Sequence, residues 1–216
     1  YVEKIRDEIK AGWVYQVNAC RLLESDDDID LANLFASIQA NHPAPSAAYY
    51  HSNRWEIASA SPETFFNVTH AAGKRLIQTS PIKGTSRDGV FREKDQAENV
   101  MIVDLMRNDI SPLCRKGSVK VPEMCIRDRK SSAREVISRF EPYRGIYCGT
   151  IGWIYQGAAH FSVAIRTFFK DKRRANQYGP AIYFGTGAGI TWGSSASGEG
   201  DETELKTERL MRIAAG

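Results

Sequence analysis

Apolar positions along the chain alternate between helical and strand spacing, and together they outline a mixed architecture. Val2, Ile5 and Ile9 fall on one helical face, and Gly12 ends that helix. Val14 to Cys20 carries the β-branched and aromatic residues of a strand. Leu31, Leu34, Phe35 and Ile38 return to the i, i+3, i+4, i+7 spacing of a helix, which His42-Pro43-Ala44-Pro45 breaks. Short strands are predicted over Ala48–His51, Trp55–Ser59, Thr64–Val68 and Arg75–Thr79. A glycine-containing loop, Pro81 to Gly89, then leads to a helix over about Glu93–Arg107. Val100, Met101, Ile102, Val103, Leu105 and Met106 leave that helix apolar on most sides, which predicts a central, buried element.

Ala133, Val136, Ile137 and Phe140 form a further stripe and predict a helix from Ser131 to Glu141. Strand candidates follow at Ile146–Tyr155, His160–Phe169 and Ala181–Gly185. The charged run Lys170 to Arg174 reads as a solvated hairpin turn between the last two, and a final helix is predicted over Gly198–Ala214. There is no internal repeat. Long strands mixed with long helices, without regular βαβ alternation, predict an α+β fold or a layered α/β sandwich, read as one domain over residues 1–216.

Composition narrows the function. The 216 residues are 42% hydrophobic and 25% charged, as in an ordinary globular protein, and no apolar run reaches membrane-spanning length. A net charge of +3, from 29 basic and 26 acidic residues, gives no concentrated basic face, so neither nucleic acid nor a membrane is the expected partner. Cys20, Cys114, Cys125 and Cys148 form no C-x-x-C pair and read as free thiols of a reducing, cytoplasmic setting. The chain opens at Tyr1 inside a helix, without Met or leader, and reads as a piece of something longer.

Gly185-Thr186-Gly187-Ala188-Gly189 follows a strand, but the extended Ile190-Thr191-Trp192 comes next instead of the helix a dinucleotide loop requires. No phosphate-binding G-x-x-x-x-G-K-[ST] and no G-x-S-x-G is present, and His42, His51, His70 and His160 lack metal-ligand spacing. Three features carry chemistry. Lys83, between Pro81-Ile82 and Gly84-Thr85, sits on a constrained backbone: a buried amine there would act as nucleophile or base, a solvated one as an ordinary loop lysine. Glu98, beside a long apolar run, either finds a donor or metal or faces water from a first turn. Glu199 and Glu202 share one helical face, where they either flank a cation with Glu98, as Mg²⁺ prefers, or form a surface acidic turn.

In order along the chain, the motifs resemble the chorismate-utilising enzymes over nearly its whole length. They are Gly12-Trp13-Val14-Tyr15-Gln16-Val17-Asn18, Ser59-Ala60-Ser61-Pro62-Glu63, Pro81-Ile82-Lys83-Gly84-Thr85 and the run Ala97 to Asp109. Next come Gly117-Ser118-Val119-Lys120-Val121-Pro122, Arg144-Gly145-Ile146-Tyr147-Cys148-Gly149, Ala164-Ile165-Arg166-Thr167, Gly185 to Ile190, and Glu199-x-x-Glu202-Thr203-x-x-Lys206. The resemblance implies a layered β-sandwich with helices packed outside, here incomplete. Lys83 stands where the anthranilate-forming members typically carry Ala, and points to the members that aminate chorismate at C4 on the route to p-aminobenzoate and folate.

By that resemblance Lys83 attacks the ring, Glu63 assists proton transfer, and Glu98 and Glu202, with Glu199 close by, hold Mg²⁺. Arg166 and Tyr147 would meet the enolpyruvyl carboxylate, the amides of Gly187, Ala188 and Gly189 would complete the anion pocket, Lys206 would add charge, and Thr85 would touch the ring. Chorismate is the implied substrate, with ammonia from a glutamine amidotransferase subunit or fused domain, since nothing here resembles a glutaminase. Two departures stand out. Met124-Cys125-Ile126-Arg127-Asp128-Arg129 replaces several dozen family residues that include a histidine-bearing strand and a substrate loop, so residues 124–130 read as a junction and the chain is expected to be inactive as it stands. The stretch Gly198 to Asp201 also lacks the aromatic usual between the two glutamates.

Overall fold

The strands hydrogen-bond into two antiparallel sheets that share their corners. A computed structural model describes residues 1–81, 93–120, 130–141, 143–176 and 179–216. The larger sheet has the order β1 (Val17–Ser25), β9 (Gly179–Ile190), β8 (Thr167–Asn176), β3 (Trp55–Ser61), β2 (Ser46–His51). The smaller has the order β5 (Lys74–Ser80), β4 (Thr64–Ala71), β7 (Ala158–Val163), β6 (Thr150–Tyr155). The helices are α1 (Val2–Lys10), α2 (Leu31–Asn41), α3 (Glu93–Ile110), α4 (Lys130–Phe140) and α5 (Ala196–Ala214). The expected α+β sandwich is therefore what the chain forms, and no helix among the described residues is long and apolar enough to cross a membrane.

Period-two alternation along β9 explains the layers. Ile182 and Phe184 face α2 and α5, where Leu31, Leu34, Ile38 and Leu210 bury against Ala58, Ala60 and Phe168. Ala188 and Ile190 continue that face toward Ile5 of α1 and Val136 of α4. The intervening Ala181 and Tyr183 point the other way, to Ile57, Phe169 and, across the gap to the smaller sheet, Ile151. Asp30 caps α2 by accepting from the backbone of Ala32 at 2.8 Å and Asn33 at 3.1 Å.

The chain changes sheets twice, at adjacent corners. Ser61-Pro62-Glu63 carries it from β3 to β4, and Ala164-Ile165-Arg166 carries it from β7 to β8. The corners are stitched together. The Ser61 hydroxyl donates to the Val163 carbonyl at 2.7 Å, the Val163 N–H to the Glu63 carbonyl at 3.0 Å, and the Ala60 N–H to the Arg166 carbonyl at 3.0 Å.

Several expectations give way. The strand predicted from Val14 starts at Val17, because Val14 drops into the α1 cluster. His160–Phe169 is two strands in different sheets, broken at Arg166, whose φ of 52° lies in the left-handed region. Ile146–Tyr155 becomes a strand only at Thr150, after a turn in which Cys148 has φ of 59°. Lys170 to Arg174 is no solvated turn: it lies within β8, with Lys170 and Asp171 buried. Asp171 accepts from the Arg173 N–H at 3.1 Å and pairs with Arg54 at 3.6 Å, which compensates its burial. Helix α3 exists, but its described apolar side chains from Ile102 to Met106 are half-buried, and Asp104 is the buried one, paired with Arg107 at 2.6 Å. A helix apolar all round buries only the faces that meet a partner. The Pro81–Gly89 loop beyond Pro81 and residues 124–129 lie outside the described residues.

Gly145 has φ of 57°, and a Cβ there would stand 2.2 Å from Cζ of the fully buried Phe169. Gly145→Ala is expected to cost about 3 kcal/mol, from the left-handed backbone and the overpacked ring together. Urea unfolding of the two proteins, compared at equal m-value, measures it.

Candidate active site

Where β8 leaves β9, the central strand runs on without that neighbour. The last pair before the corner is Phe168 with Phe184, whereas β1 follows β9 as far as Ile190. From Gly185 onward the β8 side of β9 is thus vacated, and its backbone groups there need other partners. One is supplied by α5: Lys206 donates from Nζ to the Gly187 carbonyl at 2.9 Å and pairs with Glu202 at 2.5 Å. Because the N–H and C=O of one residue in an antiparallel strand point the same way, the Gly187 N–H also faces the vacated side, and so does that of Gly189. The Cys20 N–H, opposite Gly187, confirms the phase: it turns away from β9 to Glu141 Oε1, at 2.8 Å.

The residues facing the smaller sheet are Gly185, Gly187 and Gly189, a period-two glycine track that strips side chains from one face. Tyr147 occupies part of that space. Any Cβ on Gly185 would stand 2.5 Å from its ring, and one on Gly187 2.6 Å from its hydroxyl and 2.2 Å from the Ala19 carbonyl. Tyr147 is 9% exposed, and its phenol is held well above the ordinary range, first by burial and then by Cys148, so it remains a neutral donor. Asn18 lies beside its hydroxyl and donates to Cys148 Sγ at 3.3 Å.

A half-buried ion pair absent from the sequence reading holds this wall in place. Glu141, at the end of α4, accepts from Arg144 Nε and, at 2.9 Å, from Arg144 Nη2. It also accepts from Tyr1 Oη, while Arg144 Nη2 reaches the Asn18 carbonyl. Arg144 belongs to a motif the sequence displays. Glu141 lies only three residues away, but the anchorage of the pair to Tyr1, Asn18 and Cys20 could not be read there, because those contacts bridge more than a hundred residues.

Arg166 sits at the corner itself, half-buried, with burial lowering its pKa from the usual guanidinium value. Its charge reaches His42, which it helps to keep neutral. His42 is held below its ordinary pKa by burial first and then by the charges of Arg209 and Arg166. Among the described residues no carboxylate forms an ion pair with Arg166, and a guanidinium stays charged under these conditions. The corner therefore favours an anion from outside the protein.

The structure gathers Tyr147, Gly187, Glu202 and Lys206 around the end of β9, with Glu63 and Arg166 on the two stitched corners. Glu199 lies one turn before Glu202 in α5, 5% exposed, its helix capped by Ser195. Ala188 departs from expectation: its methyl is buried with Ile5 and Val136, and strand alternation turns its N–H toward β1, so it offers no amide to the vacated side. Lys83, Thr85 and the side chain of Glu98 lie outside the described residues. For a divalent metal, two carboxylates on one face of α5 are the right hard donors, but no group of three His, Cys, Asp or Glu converges among the described residues.

Set beside known proteins, the sequence matches the chorismate binding enzyme family over residues 1–132 and again over 129–212. The chain belongs to that family. Aminodeoxychorismate synthase component 1 of Escherichia coli (strain K12) is 29% identical over 268 aligned positions, covering 98% of this chain and 57% of the relative. The same-named protein of Bacillus subtilis is 27% identical, covering 98% and 54%. Anthranilate synthase component 1 of Synechocystis is 28% identical over 260 positions, covering 95% and 51%. The chain thus spans about half the length of these relatives. The alignments are also longer than the 216 residues present, so the relatives carry positions that this chain does not fill. Anthranilate synthase component I from Streptococcus pneumoniae TIGR4 superposes with a TM-score of 0.77 at 24% identity, over 98% of this chain and 56% of that one. A putative 2,3-dihydroxybenzoate-specific isochorismate synthase from Bacillus anthracis gives 0.77 at 19% identity, over 99% and 70%. Both show the shared fold.

Burial holds the Cys20 thiol up at about 12, with the Glu141 carboxylate acting in the same direction. In an unfolded chain a thiol titrates near about 8.5. The stability that the folded, protonated Cys20 contributes is therefore complete below about pH 8.5 and is lost as pH rises toward about 12, since unfolding then releases a proton. Urea midpoints at about pH 8 and about pH 10 should fall with pH, and less steeply in Cys20→Ser.

Proposed function

We propose that this chain is the chorismate-binding catalytic part of an aminodeoxychorismate synthase component I, converting chorismate and ammonia to 4-amino-4-deoxychorismate. The observation that carries the binding half of the reading is Arg166, a half-buried guanidinium whose charge reaches His42 and which has no carboxylate paired to it among the described residues. A dianionic substrate answers that charge. Arg166 would grip one carboxylate as a fork, Tyr147 would donate to it from its neutral hydroxyl, and the N–H groups of Gly187 and Gly189 would close the pocket from the vacated edge of β9. Lys206 would add positive charge at the same end of the strand.

Lys83 supports the aminating half, because identity to the two kinds of relative is similar, 28% against 27% and 29%, and does not separate them. In this reading the Lys83 amine adds to C2 of the ring while the 4-hydroxyl departs as water. Ammonia then adds at C4 and expels the lysine, so chorismate and ammonia give the amino product and water. Glu63 would relay the protons. Glu98 and Glu202, with Glu199 alongside, would hold Mg²⁺, which supplies charge neutralisation at a substrate carboxylate. Ammonia would come from a glutamine amidotransferase subunit or domain, and the product would feed p-aminobenzoate and folate synthesis. The free thiols Cys20, Cys114 and Cys148 support a cytoplasmic setting.

The chain is assayed with chorismate, MgCl₂ and ammonium, alone and with a family-length stretch restored between Pro122 and Lys130, the product being identified by mass spectrometry. Aminodeoxychorismate from the restored protein, lost in Lys83→Ala, is the expected result, with no turnover by the 216 residues alone. Anthranilate, or a product that survives Lys83→Ala, overturns the assignment. Arg166→Ala in the restored protein should raise KM for chorismate by about 10- to 100-fold, the loss of one charge-assisted pair, and leave the product unchanged.

A further inference from the structure

Cys20 of β1 and Cys148 of the turn before β6 reach the same face of the larger sheet, and no step proposed above uses either thiol. Cys20 opposes Gly187 in the register of β1 with β9. Its N–H turns outward to Glu141, so the two form a pair without mutual hydrogen bonds, the closer kind, with Cα atoms about 4.5 Å apart. Opposed residues project to one side, so the Cys20 thiol shares the glycine-track face on which Tyr147 lies. A Cβ on Gly187 would stand 2.6 Å from the Tyr147 hydroxyl, which puts that hydroxyl within about one strand spacing of Cys20.

Cys148 arrives at the same place from the other side. It follows Tyr147 directly, its backbone is left-handed with φ of 59°, and its Sγ accepts from Asn18 Nδ2 at 3.3 Å. Asn18 is two residues before Cys20 and on the same face, about 6.7 Å along the strand. The Tyr147 hydroxyl hydrogen-bonds with both Asn18 and Cys148. The two thiols therefore border one hydroxyl. Cys148 also adds to the forces that keep Cys20 protonated, and Arg144 feels both. A disulfide spans Cα atoms about 4.4–6.8 Å apart, the scale of these spacings.

We infer that Cys20 and Cys148 are a dithiol–disulfide couple, closed by a peroxide and reopened by a thiol reductant. Cys148, exposed among the described residues, meets the oxidant. Its sulfur attacks one oxygen of hydrogen peroxide, the O–O bond breaks, and a sulfenic acid and one water result. The half-buried Cys20 sulfur then attacks the sulfenic sulfur. The S–S bond forms, the S–O bond breaks, and the departing hydroxide takes the Cys20 proton as a second water. Two thiols and one peroxide thus give one disulfide and two waters. Burial keeps Cys20 protonated, which makes it the resolving partner and not the first target. In a reducing compartment such a pair is transient and redox-sensing, not a structural staple. Closure takes Cys148 Sγ from Asn18 and Tyr147 and pins the turn onto β1, so the neutral donor of the pocket changes partners with the redox state. The couple is independent of which reaction the neighbouring site performs.

Peptide mapping of the 216-residue chain is the test. The folded protein is treated with a small excess of hydrogen peroxide, alkylated, and cleaved with trypsin without reductant. The expected product joins Ala11–Arg21 to Gly145–Arg166, lighter than their sum by two hydrogens and released by dithiothreitol, with Cys114 alkylated. It should exceed every other cysteine pairing by at least about 10-fold, a preference lost in denaturing urea, where the fold no longer holds the thiols together. In Cys20→Ser, of unchanged circular dichroism, Cys148 should stop at a sulfenic acid that dimedone traps. A Cys148 that oxidises onward to sulfinic acid beside an intact Cys20 overturns the inference. So does a Cys148 that peroxide leaves untouched, or a pairing no more abundant in the folded chain than in urea.

Discussion

The contact between the Tyr147 ring and the side-chain-free face of Gly185 and Gly187 is the constraint on which the rest of the site depends. It is a steric constraint before it is a chemical one. With a methyl at either glycine the ring could not lie against the central strand, and the turn from Arg144 to Gly149 would have nowhere to dock. That turn carries Cys148 to Asn18 and leads into β6, so one close approach fixes how the smaller sheet sits on the larger. The Glu141–Arg144 pair acts from behind, holding the end of α4 to β1 through Asn18 and Cys20. Its charges are nearly removed from water, and their mutual pairing together with hydrogen bonds to backbone and Tyr1 offsets the desolvation.

The second determinant is topological. Because β8 turns off toward the smaller sheet at Arg166, β9 outlasts its neighbour and exposes amides that a continuous sheet would have consumed. Lys206 takes one of the freed carbonyls, which leaves donors facing the gap and places positive charge beside them. A corner of free amides beside positive charge therefore arises as a by-product of a strand changing sheets, with no dedicated loop. Relatives of similar identity carry two different activities in their names, in keeping with one fold serving more than one chemistry.

Helix and strand identities were legible wherever the period was clean. Leu31, Leu34 and Ile38 on α2 and the stripe Ala133, Val136, Ile137 on α4 fall where spacing alone puts them. Chain breaks inside long apolar runs were not legible: nothing in His160–Phe169 announces that Ala164 to Arg166 is a corner, since its residues suit a strand and only the stitched hydrogen bonds bend it. Lys170 and Asp171 misled for the opposite reason. Charge argues for solvent, but Asp171 has partners in Arg54, just before β3, and in Tyr143.

By itself the sequence determined the family, the α+β class and the identity of most candidate residues, because ordered motifs and local periodicity are written in neighbouring positions. The tertiary structure alone decided which of those residues share a space. It set Gly187 beside Lys206 and Tyr147, withdrew Ala188 into the helical layer, and revealed the Glu141–Arg144 clamp on β1. Those outcomes depend on strand phase and on where a sheet loses its neighbour. Neither is a property of any local stretch, since each is fixed by pairing between segments far apart in the chain.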